Sequence, residues 1–247
     1  MKLLRLFLSG LFLMGCATKD HSADDFKHFT AKELLQQGGQ KVAKGNYEQA
    51  AKYLEAIDAL YPFDPEAKQG QLIAIYTYYK SGDHVATLAA ANRYIHLHPE
   101  DTHTDYAYYM KGVVNFSKNR TAAQKLLARK LENLDISDLN ESFINFSELL
   151  KKYPNSFYAK DAKKRMIYIR HLIAEHELNV AKFYLERKAY VASANRAASL
   201  IKHYPGVSQT KEALKVMLKS YGALGLKQAK EDILRIFKFN FPNESVD

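Results

Sequence analysis

Cysteine is almost absent from this chain of 247 residues, and the one thiol belongs to Cys16. A single thiol has no partner for a disulfide within the chain. Long apolar runs are missing too, because the stretch from Leu6 to Met14 is too short to cross a bilayer of about 30 Å as a helix. The sequence therefore excludes a disulfide scaffold and a membrane span formed by this stretch.

Catalytic and metal-binding motifs are missing as well. The sequence has no Gly-x-Ser-x-Gly elbow and no phosphate loop. The pairs His96/His98 and His171/His176 lack the i, i+4 spacing of a helical zinc site. We therefore expect a protein that is not an enzyme and that has no cofactor apart from the lipid described below.

The chain is basic, with 36 Lys and Arg residues against 27 Asp and Glu residues. Removal of a leader that carries Lys2 and Arg5 leaves it basic. Basic helical faces are more often solvated, or used against acidic partners, than bound to nucleic acid. We expect no nucleic-acid partner.

An export signal begins the chain. Lys2 and Arg5 form a positive segment, an apolar stretch follows, and the first acidic residue is Asp20. This order is typical of a secretory signal peptide. We predict that residues 1–15 are the signal peptide.

The four residues 13–16, Leu-Met-Gly-Cys, resemble the lipobox of bacterial lipoproteins. In that motif the cysteine receives diacylglycerol, the leader is cut before it, and the new amine is acylated, for example with palmitate. We therefore expect Cys16 to be a lipid anchor, which holds a protein on a membrane without a spanning segment. The alternative is an ordinary signal peptide that contains a cysteine.

The residue after Cys16 is Ala17, whereas lipoproteins that stay in the inner membrane commonly resemble a Cys-Asp pattern. This difference implies sorting to the cell outer membrane, with the protein on the periplasmic face. Residues 16–30 are predicted to be the lipidated cysteine and a flexible tether, because residues 20–25 are polar.

Five of the six prolines directly follow a ring, and this shared pattern indicates internal repeats. The pairs are Tyr61-Pro62, His98-Pro99, Tyr153-Pro154, Tyr204-Pro205 and Phe241-Pro242. Pro62 and Pro99 are 37 residues apart, as are Pro205 and Pro242, and a glycine lies 17 residues before three of these prolines. Proline cannot continue a helix, and glycine can adopt the positive φ that separates two helices. Each unit is therefore predicted to contain a helix, a turn and a second helix that ends before the proline.

A spacing of 37 residues equals a tetratricopeptide hairpin of about 34 residues plus a short connector. No stretch shows the alternation of a β-strand. We therefore predict an all-α superhelical solenoid of five tetratricopeptide-like helical hairpins, over residues 31–64, 68–101, 105–156, 158–207 and 211–244. Repeats 1–3 form an N-terminal half, residues 31–156, and repeats 4–5 form a C-terminal half, residues 157–244.

Three local features depart from a regular repeat. Residues 119–136 are predicted to be an insertion between the two helices of the third unit. Residues 160–187 contain no glycine or proline and predict one helix of about eight turns. Lys188 stands where the turn glycine is expected.

Helical register predicts an aromatic surface in units two and three. The positions expected to face inward, with a lysine nearby, hold Leu72, Tyr76, Tyr79, Tyr106, Tyr109, Val113, Phe116 and Lys80. The equivalent positions in unit five are the charged Glu212, Lys215 and Lys219. Two interpretations stay open, since the tyrosines could line a groove for a peptide or could pack between neighbouring hairpins.

Several segments together resemble the BamD family, also called competence lipoproteins. These are tetratricopeptide lipoproteins of the outer-membrane β-barrel assembly (BAM) machinery. The resemblance is carried by residues 45–50 (GNYEQA), 61–65 (YPFDP), 75–80 (IYTYYK), 153–156 (YPNS) and 195–196 (NR). Glu48 and Asp64 depart from residues found in related sequences.

The resemblance implies a non-enzymatic adaptor. Such a protein binds the periplasmic domains of BamA, together with accessory BAM lipoproteins, and receives unfolded outer-membrane proteins through an aromatic-ended C-terminal signal. The resemblance also associates the N-terminal half of the chain with substrate binding and the C-terminal half with BamA binding. Tyr61 matches a tyrosine linked to substrate recognition, and Arg196 matches an arginine linked to communication with BamA.

The predicted groove fits this role. An extended peptide with alternating aromatic residues and a terminal carboxylate would suit the rings of Tyr76, Tyr79, Tyr106 and Tyr109 beside the cation of Lys80. The competing hypothesis is another lipidated repeat protein, either a scaffold for cell-wall enzymes or a pilotin-like chaperone for a secretin. Such a protein would share the anchor and the solenoid, but we would not expect it to share all of the matching segments.

Overall fold

The computed structural model describes residues 23–126 and 136–245. The predicted signal peptide and Cys16 lie outside the described residues. The described residues contain a short 3₁₀ helix, Ala23–Phe26, and no strand. They form ten α-helices: α1 (Ala31–Ala43), α2 (Tyr47–Leu60), α3 (Pro65–Ser81), α4 (His84–Leu97), α5 (Thr104–Leu126), α6 (Ser137–Lys152), α7 (Ala159–Glu186), α8 (Tyr190–His203), α9 (Thr210–Ala223) and α10 (Lys227–Asn240). The prediction of an all-α fold of five hairpins is confirmed.

Four of the hairpins turn at a residue in the left-handed region. The φ angle is 74° at Gly45, 84° at Gly82, 60° at Lys188 and 70° at Gly225. Glycine adopts such angles without a clash between its side chain and the backbone. The structure therefore confirms that Lys188 replaces the turn glycine, and it shows a lysine in the conformation that glycine has elsewhere.

The residue before each repeat proline, which carries a ring, is the C-cap of the second helix of its hairpin. These residues have φ between −124° and −135°, outside the helical region, and each backbone N–H donates to the carbonyl four residues earlier. The following proline has no N–H and disfavours a helical conformation of the residue before it. The predicted stop signal is therefore what ends α2, α4, α6, α8 and α10.

Two compact units divide the chain, one ending at Gly70 and the other beginning at Gln71, within α3. In the first unit, α1 and α2 form a hairpin around buried Leu34, Leu54 and Ile57. Thr30 caps α1 and forms a capping box with Glu33. The paired bonds satisfy backbone donors that a helix start leaves without partners.

The prediction of a flexible tether over residues 16–30 is wrong for residues 23–30. Phe26 lies in the 3₁₀ helix and is 9% exposed, and its ring meets Tyr53 edge to face at 5.1 Å. Phe29 also contacts Tyr53. Burial of these rings outweighs the polar character of the segment that leads to them.

The second unit has a core that continues along the helices. One cluster includes buried Ile75, Tyr94, Phe146 and Ile169, and so runs from α3 to α7. A second cluster is formed by α7, α8 and α9 and includes Leu178, Leu200 and Met217, and Tyr204 packs against both clusters. Apolar packing therefore crosses the predicted boundary between residues 156 and 157, and the two-half division stays a prediction about function.

Helix α7 is a single helix of 28 residues, about 42 Å long. This confirms the prediction for residues 160–187. The predicted insertion at 119–136 is corrected, because α5 continues through Leu126. Residues 119–126 contain alanine, glutamine, lysine and leucine and no glycine or proline, so helix propensity extends α5 where a turn was expected. Residues 127–135 lie outside the described residues.

Candidate functional site

Helices α3 and α5 and the residue before α7 bring together an aromatic cluster, formed by Tyr76, Tyr106, Tyr109 and Tyr158. Tyr109 and Tyr158 stack with their centroids 4.6 Å apart, and Tyr106 lies 5.7 Å from Tyr158. Tyr76 is 39% exposed, and the Nζ atom of Lys80 lies 6.0 Å from the centroid of its ring. The cluster therefore has a buried side and an exposed ring beside a cation.

The buried side of the aromatic cluster is formed by Tyr106 and Tyr109. Burial raises the pKa of Tyr109 to about 12, and the hydrogen bond from its hydroxyl to Asp161 Oδ2, 2.7 Å long, acts in the same direction. Burial also raises the pKa of Tyr106, and the neighbouring Tyr158 and Tyr76 add to this effect. Both rings are partly buried against the core of the second unit, as the packing interpretation expects.

Tyr79 connects α3 with α5. Its hydroxyl lies 3.0 Å from Ser117 Oγ, and Ser117 donates to the carbonyl oxygen of Val113. The ring packs partly buried against the core cluster. Tyr79 therefore fixes the position of α3 beside α5, next to the aromatic cluster.

A second group of residues continues this surface along α5 and α7, and sequence reasoning missed most of it. Arg165 pairs through Nε with Asp161 Oδ2, and its guanidinium carbon lies 5.1 Å from the ring centroid of Phe116. Tyr168 meets the same ring edge to face at 5.9 Å and is 50% exposed. The i, i+4 spacing of Asp161 and Arg165 was the available signal.

The Asp161 carboxylate is held in its ionised form. Desolvation opposes ionisation, but hydrogen bonds from Arg165 and Tyr109 outweigh it, and the pKa of Asp161 is lower than usual. Asp161 thus joins the aromatic cluster to Arg165, because the same oxygen accepts from both side chains.

Tyr61 belongs to the first unit. Its hydroxyl donates to the carbonyl oxygen of Phe29 over 2.7 Å, and the ring is partly buried. Tyr61 therefore holds the segment before α1 against the end of α2. The neighbouring Phe63 is 98% exposed.

Arg196 lies on α8 and pairs with a buried acid of α7. Its Nη1 atom is 3.1 Å from Oε2 and 3.3 Å from Oε1 of Glu177. The Glu177 side chain is 12% exposed, whereas that of Arg196 is 49% exposed. Arg196 therefore neutralises a covered carboxylate and keeps about half of its own surface in water. Sequence reasoning missed Glu177, which lies 19 residues from Arg196 and in another helix.

Comparison with known proteins identifies the family. Residues 27–235 match the family described as YfiO, outer membrane lipoprotein. The chain belongs to this family.

Relatives in this family carry the name outer membrane protein assembly factor BamD. The protein from Neisseria meningitidis serogroup A is 33% identical over 244 residues, covering 98% of this chain and 91% of the relative. That of Vibrio cholerae serotype O1 is 33% identical over 237 residues, covering 94% and 97%, and that of Haemophilus influenzae is 31% identical over 239 residues, covering 97% and 90%. The resemblance to the BamD family is confirmed.

Two findings concern the described part of this BamD-family chain. Within residues 23–126 and 136–245, no helix combines the length and the apolar character needed to cross a membrane. The same ranges contain no group of three or more His, Cys, Asp or Glu side chains placed to hold a metal ion.

Proposed function

We propose that this protein is a lipid-anchored subunit of the BAM complex, which binds BamA and recognises unfolded outer-membrane proteins for their folding and insertion. The observation that carries the proposal is the family match over residues 27–235, together with relatives named as outer membrane protein assembly factors. The protein acts as an adaptor and catalyses no reaction.

The substrate surface of this proposal is the aromatic cluster with Tyr79 and Lys80. Tyr76 offers an exposed ring with a cation nearby, which suits aromatic side chains of an extended peptide. Tyr106 and Tyr109 hold the surface in shape through their packing and contact the peptide with the parts of their rings that face water. Tyr61 acts in the first unit, where exposed Phe63 follows it.

The BamA surface of the proposal lies in the C-terminal half and includes Arg196. The Arg196 side chain is 49% exposed, so a partner can contact it while it stays paired with Glu177. Accessory BAM lipoproteins are the other expected partners.

The lipid on Cys16 would hold the protein on the periplasmic face of the outer membrane. Alkylation of the thiol and acylation of the amine supply several chains, and one chain alone gives only marginal membrane binding. A variant in which an ordinary cleavable signal peptide replaces residues 1–16 should therefore leave the membrane fraction.

Extraction of the tagged full chain from its own envelope in mild detergent tests the proposal. We expect wild type to retain a β-barrel protein with periplasmic domains in stoichiometric amount, and Arg196→Glu to retain less of it. Retention of a secretin or a cell-wall synthase in its place would overturn the assignment and favour the competing lipidated scaffold or pilotin-like chaperone.

A matched pair of variants separates contact with the partner from the internal ion pair. Glu177→Gln removes the buried charge and leaves Arg196 in place, so it should keep the partner. Lys163→Glu, at an exposed position of α7, reverses a charge outside the proposed interface and should also keep it. Equal losses in Arg196→Glu and Lys163→Glu, which change the net charge equally, would show that general charge, and not Arg196, decides the association.

A further inference from the structure

Arg165 differs from the exposed lysines around it in how firmly it is held. Its guanidinium lies over the ring of Phe116, its Nε pairs with Asp161, and 29% of its side chain is exposed. The ε N–H is the donor directed at Asp161, and the guanidinium also forms a hydrogen bond with Tyr109. The two terminal amino groups carry four N–H donors in all, so the bond to Tyr109 leaves further donors for a ligand. The contact with Phe116 and the pairing with Asp161 together hold this guanidinium in place before any ligand arrives.

A guanidinium that is held in place is suited to a carboxylate. Arginine binds a carboxylate with two parallel N–H bonds, whereas a lysine ammonium acts as a point charge on a flexible stem. Lys80, which the sequence suggested for this role, is exposed and lies 6.0 Å from the ring of Tyr76. Arg165 is therefore better prepared for a ligand that presents two oxygens in one plane.

Apolar surface lies directly beside this guanidinium. Phe116 is partly buried, and Tyr168, which is 50% exposed, meets it edge to face. A ligand that carries an aromatic ring next to its carboxylate would find both kinds of contact here.

Charge favours an anion at this position. Lys160, Lys163 and Lys164 are exposed on the first turns of α7, at spacings that place them near one another. Asp161, the acid among them, is already bound by Arg165 and Tyr109.

We propose that Arg165, with Phe116 and Tyr168, binds the terminal carboxylate and last aromatic ring of an unfolded chain. This inference rests on the proposed function, since it assumes that the aromatic surface receives unfolded outer-membrane proteins. It adds to the proposed function that Arg165 distinguishes the end of the unfolded chain from an internal segment of it. Asp161 is a positioning residue, because it acts by orienting Arg165.

The spacing along α5 fits this arrangement. Tyr109 and Phe116 are seven residues apart on one helix, about 10 Å along its axis. An extended peptide covers this distance in about three residues. A peptide with its last ring at Phe116 therefore reaches the aromatic cluster with the residues just before it.

Two synthetic peptides test the inference. Both carry alternating aromatic residues and end in phenylalanine, one as the free acid and the other as the amide, and their binding to the detergent-solubilised full chain is followed by fluorescence anisotropy. We expect the acid to bind at least about tenfold more tightly than the amide, because bonds to a charged group are lost in the amide.

Variants then identify the residue that is responsible for the preference for the free-acid peptide. In Arg165→Gln the ratio of the two dissociation constants should fall to about one, and in Arg165→Lys it should fall part of the way. In Lys80→Gln the ratio should stay as in wild type, and Asp161→Asn should lower it without abolishing binding. Thermal unfolding followed by circular dichroism checks that each variant is folded.

The outcomes distinguish this inference from the proposed function. Equal binding of acid and amide by wild type would overturn the carboxylate site and leave the peptide surface standing. A ratio that is lost in Lys80→Gln and kept in Arg165→Gln would also overturn it and would assign the carboxylate to Lys80. Binding of neither peptide would contradict both proposals.

Discussion

Two arginines pair with carboxylates of α7. In one pair the arginine is the more buried partner, and in the other the carboxylate is. In the pair near the start of the helix, Arg165 is the more covered partner, at 29% exposed against 47% for Asp161. In the later pair, Glu177 is the covered partner, at 12% against 49% for Arg196. A covered carboxylate needs the opposite charge to offset its lost hydration, whereas an exposed one keeps water.

The guanidinium–carboxylate pair therefore has a different role at each of the two positions. Around Glu177 the arginine stabilises the fold, and its exposed half is available to a partner. Around Arg165 the acid orients an arginine that already stacks on Phe116, so the pair prepares a surface more than it supports the core. Three predictions test this difference and a fourth tests the turn that follows α7, in order of expected effect.

The largest effect is expected for Arg196→Glu. It places two carboxylates together, one of them covered, and should lower the free energy of unfolding by about 2 kcal/mol, less than for a fully buried pair because Arg196 is half exposed. Urea unfolding followed by circular dichroism measures this change. Lys163→Glu, which changes the net charge equally at an exposed site, should cost much less, and equal losses would contradict a special role of Glu177.

Tyr109→Phe should cost about 1 kcal/mol, because the hydrogen bond to Asp161 is lost. The variant should also change the response to alkali. The folded pKa of Tyr109 is about 12, above the usual value of about 10, so its contribution is complete below pH 10 and is lost as the pH rises towards 12. Unfolding measured from pH 8 to pH 11 should show a shallower decline in the variant, and identical slopes would contradict the burial of this phenol.

Asp161→Asn should cost less than about 1 kcal/mol at neutral pH, since the carboxylate is half exposed. Its pKa in the folded protein is lowered, so its contribution is present above the ordinary value near 4 and is lost as the pH falls through the lower folded value. The difference between wild type and variant should therefore shrink between pH 7 and pH 2. A constant difference over this range would mean that the charge of Asp161 is not involved.

The smallest effect is expected at the end of α7. Lys188 has φ of 60°, so Lys188→Gly should raise the free energy of unfolding by about 0.5 kcal/mol, as relief of backbone strain exceeds the added entropy of the unfolded chain. The neighbouring Arg187 has φ of −84° and is the control. Arg187→Gly should destabilise the protein, and stabilisation by both changes would refute the argument from φ.

Only part of the candidate site could be predicted from the sequence. Register placed Tyr106 and Tyr109 on one face of α5, because helical periodicity decides which side chains of a helix share a face, and the repeat placed Tyr76 at an inward-facing position of α3. It could not identify Tyr158 or Asp161 as their neighbours, since these residues lie about 50 positions further along the chain. Contacts of this kind depend on how separate helices pack.

Local chemistry in the sequence determined the repeats of this protein: prolines after rings end helices, and residues able to adopt positive φ separate them. It also determined the length of α7, because nothing in residues 160–187 interrupts a helix. Tertiary structure decided what the side chains do. It buried Glu177 and left Asp161 half exposed, and it ordered residues 23–30 around Phe26, because burial depends on neighbours that are distant in the chain.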